Sequence, residues 1–129
     1  MGSDIRPVAP FEHEVFDDTI PASTDLSANQ FLFHVIDANG ELAIPSAGDI
    51  AFALQNEPSE QGDGGAIRIL GITEYIAGGS VTAGDFVSTD AAGKGVTSLT
   101  TNRILGIALG DLATDERGSL LIVYAGRLA

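Results

Sequence analysis

From residue 31 onward, the apolar residues of this chain come in short runs, each cut off by glycine, proline, asparagine or aspartate. Short apolar segments separated by turn chemistry are the signature of an all-β domain. Strands are predicted over residues 31–36, 41–44, 50–55, 66–74, 86–89, 95–98, 103–109 and 120–125. Asp37-Ala38-Asn39-Gly40 and Asp90-Ala91-Ala92-Gly93 supply hairpin turns, because Asn and Gly accept the positive φ of tight connections. Residues 56–65, with Pro58, Gly62, Asp63, Gly64 and Gly65, read as a mobile surface loop between two halves, and residues 77–80 as a second pliable connection. No window carries a strong helical period; the best, residues 49–56, stops before Pro58.

The halves resemble one another. Ala28-Asn29-Gln30-Phe31 matches Ala83-Gly84-Asp85-Phe86, the two Asp-to-Gly turns match, and Ile50-Ala51-Phe52-Ala53-Leu54 matches the run from Ile104 to Leu109. Three blocks in one order at a nearly constant offset indicate an internal repeat, here spanning about residues 27–72 and 82–126. Each half closes on an apolar strand. Two four-stranded repeats, each apolar on one face, are expected to bury those faces together as a small β-barrel or sandwich within a single β domain over residues 26–129.

Residues 1–25 break this pattern. Pro7, Pro10 and Pro21, scattered charges and the lack of a sustained period predict an extended N-terminal arm. Its apolar residues, Ile5, Val8, Phe11, Val15, Phe16 and Ile20, are too many for a purely solvated tail. Two readings fit them: the arm lies on a partner, or it packs across its own domain and closes an exposed sheet edge.

Composition sharpens the core and narrows the partners. With 16 Gly, six Phe, two Tyr and no Trp, the core must be built mainly from Ile, Leu, Val and Ala. The absence of Cys removes disulfides, thiolate metal sites and a thiol nucleophile. No apolar run reaches the roughly 20 residues that span a bilayer, and the N-terminus lacks a signal-peptide pattern, so a soluble protein made in the cytoplasm is expected. The net charge of -12 opposes binding to a phosphate backbone. Residues 1–63 hold 12 acidic side chains against Arg6 alone. That acidity reads either as a solvated face or as one that docks on a basic partner.

A search for chemistry finds no candidate. His13 and His34 are 21 positions apart with no carboxylate at metal-ligand spacing, and His34 reads as an exposed or hydrogen-bonded strand residue rather than a base. Glu12, Glu14, Asp17 and Asp18 lack a calcium-loop framework. The glycine clusters are followed by no Lys-Ser or Lys-Thr, and no GxSxG elbow occurs. The six basic residues are dispersed, without the stripe of a nucleic-acid reader. No catalytic residue, cofactor or metal site is expected.

The run from Ala77 to Val87, followed by Asp90 to Gly93 and by Ile104 to Leu109, resembles the capsid cement or head-decoration proteins of tailed bacteriophages. Upstream, Ala51 to Pro58 and Ile67-Arg68-Ile69 with Gly71-Ile72 resemble the same family's first half, so the likeness covers residues 26 to 125. The resemblance implies a β-tulip-like, non-enzymatic structural protein on the capsid exterior of the virion. It further implies a homotrimer that bridges major capsid protein subunits and stabilises the shell, with no catalytic residues to carry over. Within such a role the arm residues Ile5, Val8, Phe11, Val15 and Phe16 are the candidate capsid contacts, laid along a shell strand. Two alternatives remain: a small trimeric all-β enzyme such as a nucleotide hydrolase, and a glycan-binding module, for which two Tyr and no Trp give a thin stacking platform.

Overall fold

The computed structural model describes residues 17–123. They form ten strands and, among the described residues, no helix. The strands are β1 (Asp17–Pro21), β2 (Phe33–Ile36), β3 (Leu42–Ala43), β4 (Phe52–Leu54) and β5 (Gly64–Arg68), then β6 (Ile72–Ile76), β7 (Phe86–Thr89), β8 (Gly95–Thr97), β9 (Gly106–Ala108) and β10 (Arg117–Ile122). Two five-stranded antiparallel sheets result, ordered β1-β5-β4-β2-β3 and β6-β10-β9-β7-β8. The second order is the first moved on by five strands.

The repetition extends to single bonds. Asp37 Oδ1 accepts the backbone N–H groups of Asn39 and Glu41, and Asp90 Oδ1 those of Ala92 and Lys94. Gly40 and Gly93 then close the two turns at φ of 76° and 84°. Each sheet curls until the residue after its first strand bridges the third strand, Ala22 to Leu42 and Ala77 to Gly95. Two small, partly closed barrels are the outcome, in which the bridge covers part of the edge strands. Even unusual backbone is conserved between the repeats: Phe31 at φ 67° stands where the second repeat has Gly84, and Asp115 at φ 68° where the first has Gly62.

Three expectations change. The single strand expected over 66–74 is two strands in different sheets, because Gly71 at φ 96° reverses the chain between them. The joint between halves therefore lies at residues 69–71, not in the 56–65 loop. That loop belongs to the first repeat and is pinned: Asp63 Oδ2 accepts from Ser59 N–H, Ser59 Oγ and Glu60 N–H, while Asn56 bonds the Gly64 carbonyl and the Ala66 N–H. Finally, the arm expected over 1–25 gives up its last part to the fold. Residues 17–21 form β1, an edge strand paired with β5 from Asp17 opposite Arg68 to Pro21 opposite Gly64. Each repeat thus has five strands rather than four, and the true counterpart of Phe86 is Phe33, not Phe31.

Strand alternation sends Leu54, Ile67 and Leu42 into the first barrel, where they pack with Ala22 and Leu26. The other face of that sheet is also covered. Phe33, Ala51 and Ala53 join Tyr75, Ala77, Val81, Val87, Leu105, Ala108 and Leu120 in one larger core, with the Phe33 and Tyr75 rings 6.2 Å apart. Burying Phe33 in this way stabilises the contact between repeats by about 2 kcal/mol. Above it the Phe33 N–H donates to the Gly93 carbonyl at 2.7 Å, and a Cβ on residue 93 would stand 2.7 Å from the Phe33 carbonyl oxygen. The Arg117 guanidinium lies 4.8 Å from the centroid of the Phe31 ring and pairs with Glu74 at 2.9 Å, tying the second repeat to the first from outside.

Two polar side chains in these cores carry a cost. The Tyr75 hydroxyl is buried with no hydrogen-bond partner, and burial, helped by the charge of Asp85, pushes its pKa above 10. His34 is fully buried; its Nδ1–H donates to the Leu32 carbonyl at 3.0 Å and its Nε2 accepts from the Asn29 amide at 3.1 Å. Both nitrogens are satisfied only in the neutral ring, and desolvation holds the pKa below 6.5.

Removing the unpaired hydroxyl by Tyr75→Phe should raise the unfolding free energy by about 1 kcal/mol in urea melts; a loss of that size would show that the hydroxyl has a partner in solution. For His34 the unfolded ring binds a proton at a higher pH than the folded ring. Its contribution is therefore full above pH 6.5 and falls as pH drops through and below that value. Wild type should lose stability between pH 7 and 5 relative to His34→Val, the residue type that its counterpart Val87 supplies. A difference between the two proteins that does not vary with pH would refute this assignment.

Candidate interaction surface

Among the described residues, the histidine and the buried serine are spent on structure. His34 has both nitrogens engaged, and Ser88 Oγ lies between Ser98 Oγ and the Arg103 carbonyl with no base beside it. Among the described residues, no group of three or more His, Asp or Glu side chains is placed to hold a metal ion. Nor is any helix long and apolar enough to cross a membrane. The glycines of residues 62–65 serve a turn and the start of β5, where a Cβ on Gly65 would collide with Leu42 and Leu54. Lys94 is held by Asp115 at 2.6 Å, an exposed ion pair that raises its pKa.

What the fold does display is an apolar row. Ile72 stands opposite Leu121, Leu121 opposite Ile107, and Ile107 opposite Phe86, so the four side chains cross β6, β10, β9 and β7 on the same face. This face points away from the core. Ile72 is 50% exposed, Phe86 43% and Leu121 39%, with Ile107 partly covered. Leu109, two residues beyond Ile107, is exposed as well. A second set of exposed apolar residues lies in the first repeat: Ile36 and Ile50, which with Val35, Gly48, Asp49 and Arg103 line an open depression, and Ile44 beyond β3. Around the first barrel the surface is acidic, with Glu57 and Glu60 exposed on the pinned loop and Asp25 held below its ordinary pKa by its hydrogen bonds to Ser27.

The five residues expected to make contacts, Ile5, Val8, Phe11, Val15 and Phe16, lie outside the described residues. Ile20, the last apolar residue of the expected arm, is half-buried in β1 and packs on the first core. Sequence reasoning missed the row on the second sheet. Its signal was present in the run Leu120-Leu121-Ile122, because consecutive apolar residues in a strand occupy both faces, and only one of them is needed for a barrel's own core.

The chain matches the family described as phage cement protein over residues 12–123. No curated protein matches it. Among solved structures, it is similar to the N base of the head fiber gp8.5 of bacteriophage phi29, with a TM-score of 0.64 and 18% identity over 86% of this chain and 96% of that one. At that identity the likeness establishes a common fold. The family match spans both repeats, both sheets and the joint between them, and on it this chain belongs to the phage cement protein family.

Proposed function

We propose that the chain is a structural cement protein on the exterior of a phage capsid, where it bridges neighbouring major capsid protein subunits as a homotrimer and stabilises the shell without catalysis. The observation that supports this reading is the family match across the whole of both barrels, in a body that exposes an apolar row on one repeat and an acidic surface on the other. Many shallow contacts repeated over a symmetric shell gain avidity that a single patch would not have. The N-terminal segment supplies the grip in this reading. Ile5, Val8, Phe11, Val15 and Phe16 precede β1, whose pairing with β5 anchors the segment at the edge of the first sheet. The acidic first repeat then faces the basic groups of the shell.

The test uses the full chain and purified mature shells. The chain should co-sediment with shells and raise the temperature at which they rupture; shells equally robust with and without it would defeat the proposal. Deleting residues 2–16, which stops short of β1, should leave the thermal melt of the free protein unchanged and weaken shell binding at least about tenfold. Undiminished binding by the shortened chain would return the contact role to the barrels.

A further inference from the structure

The two Asp-to-Gly hairpins are held alike but differ at the residue before the glycine, which is Asn39 in the first repeat and Ala92 in the second. In both, the Asp carboxylate accepts two backbone N–H groups and the glycine N–H donates to the Asp carbonyl, from Gly40 at 3.0 Å and from Gly93 at 3.2 Å. The turn therefore uses the backbone of Asn39 and not its amide, which carries no hydrogen bond to a described residue. The other asparagines are engaged or enclosed. Asn29 bonds His34 Nε2 through its amide, Asn56 gives both ends of its amide to β5, and Asn102 is 9% exposed. Gln30, Glu57 and Arg103 follow them, so Asn39 alone precedes a glycine.

An asparagine before glycine has one reaction open to it without an enzyme: the next backbone nitrogen attacks the side-chain carbonyl carbon, and a glycine has no Cβ to hinder that approach. We propose that Asn39 is a site of spontaneous deamidation, through which the hairpin of the first repeat ages while that of the second does not. The Gly40 nitrogen bonds to Asn39 Cγ, the Cγ–Nδ2 bond breaks, and ammonia leaves with the proton that the nitrogen has lost. Water then opens the cyclic imide. Opening at Cγ leaves aspartate, and opening at the main-chain carbonyl leaves isoaspartate, in which the backbone runs through the former side chain. Asn39 and Gly40 are exposed at the hairpin tip, and a Cβ built on Gly40 meets nothing within 4 Å, so no neighbour fences the nitrogen. One bond must open first, from the Gly40 N–H to the Asp37 carbonyl, and exposed turn bonds are the ones that open at least cost. Either product sets a new carboxylate between Asp37 and Glu41 in the more acidic half of the chain. Isoaspartate also adds one carbon to the backbone there, so Asp37 can no longer hold residues 39 and 41 in register. β3 follows at once, and it is the strand that Ala22 bridges at Leu42.

The test is incubation of the purified full chain at mildly alkaline pH, which speeds loss of the amide proton, followed by peptide mass spectrometry. Residue 39 should show the mass change of NH2 replaced by OH at least about tenfold faster than Asn29, Asn56 or Asn102. Aged wild type should melt below fresh protein, in step with the isoaspartate formed. Asn39→Ala, which supplies the residue of the second repeat, should keep its melt through the same incubation. Urea-unfolded wild type gives the rate that the sequence alone would set. An Asn39 that reacts in the unfolded chain but stays intact in the folded one would overturn the proposal, because the hairpin would then protect it. Equal rates at all the asparagines, an aged protein that melts as fresh, or an Asn39→Ala chain that loses stability as wild type does would each overturn it as well.

Discussion

The hydrogen bond from the Phe33 N–H to the Gly93 carbonyl, with the Phe33 ring seated against Tyr75, is the contact on which the two barrels depend. It places the start of one repeat's second strand on the hairpin of the other, and it is possible because residue 93 has no side chain to hold the backbones apart. Glycine at this position serves two purposes. Its positive φ closes the hairpin, as Gly40 does in the first repeat, and its missing Cβ admits a neighbour, which Gly40 has not met within this chain. The same backbone device thus acts as a turn in one repeat and as a socket in the other.

A good deal of this was legible before any coordinates. The Asp-to-Gly turns were readable because the Asp carboxylate has a local task, accepting the two N–H groups that a tight hairpin leaves over. The duplication was readable from those turns together with the apolar run of Ile50 to Leu54 against Ile104 to Leu109. The strand pairing was not. β1 contains Pro21 and reads as irregular on its own, and it becomes a strand because β5 offers it an edge and Ile20 a core to cover. The run over residues 66–74 looked continuous because β-branched and apolar residues fill it; only the sign of φ at Gly71 separates the two sheets, and a sequence does not print that sign. The contact residues expected in the N-terminal segment remain a matter for the shell-binding experiment, whereas the apolar row on the second sheet depends on a register that residue types alone do not specify.

The absence of an evident reaction centre among the described residues follows from how the polar side chains are used. His34, Ser88, Asp63 and Asn56 each complete a backbone or core bond. A protein whose polar inventory is committed to holding turns shut keeps its shape where it is bound in many copies, which suits a cement. Its apolar faces are what remain for recognition, and in this chain they follow from duplication: one repeat covers the other's face once, and the second cover is missing.

The strand order carries a further consequence, for the time at which each barrel can form. In both repeats the first strand pairs with the last, β1 with β5 and β6 with β10, so neither sheet closes until the end of its own segment exists. Such non-local pairing makes folding slow relative to helical chains of this size, since a long loop must be closed before the pairing rewards it. During synthesis, however, the first barrel is complete at Arg68 while the second is still inside the ribosome. The face bearing Phe33 must then wait, apolar and uncovered, for Tyr75 and Gly93 to arrive. The first half of the chain carries 12 of the 18 acidic residues, and their mutual repulsion opposes association of nascent chains during that interval.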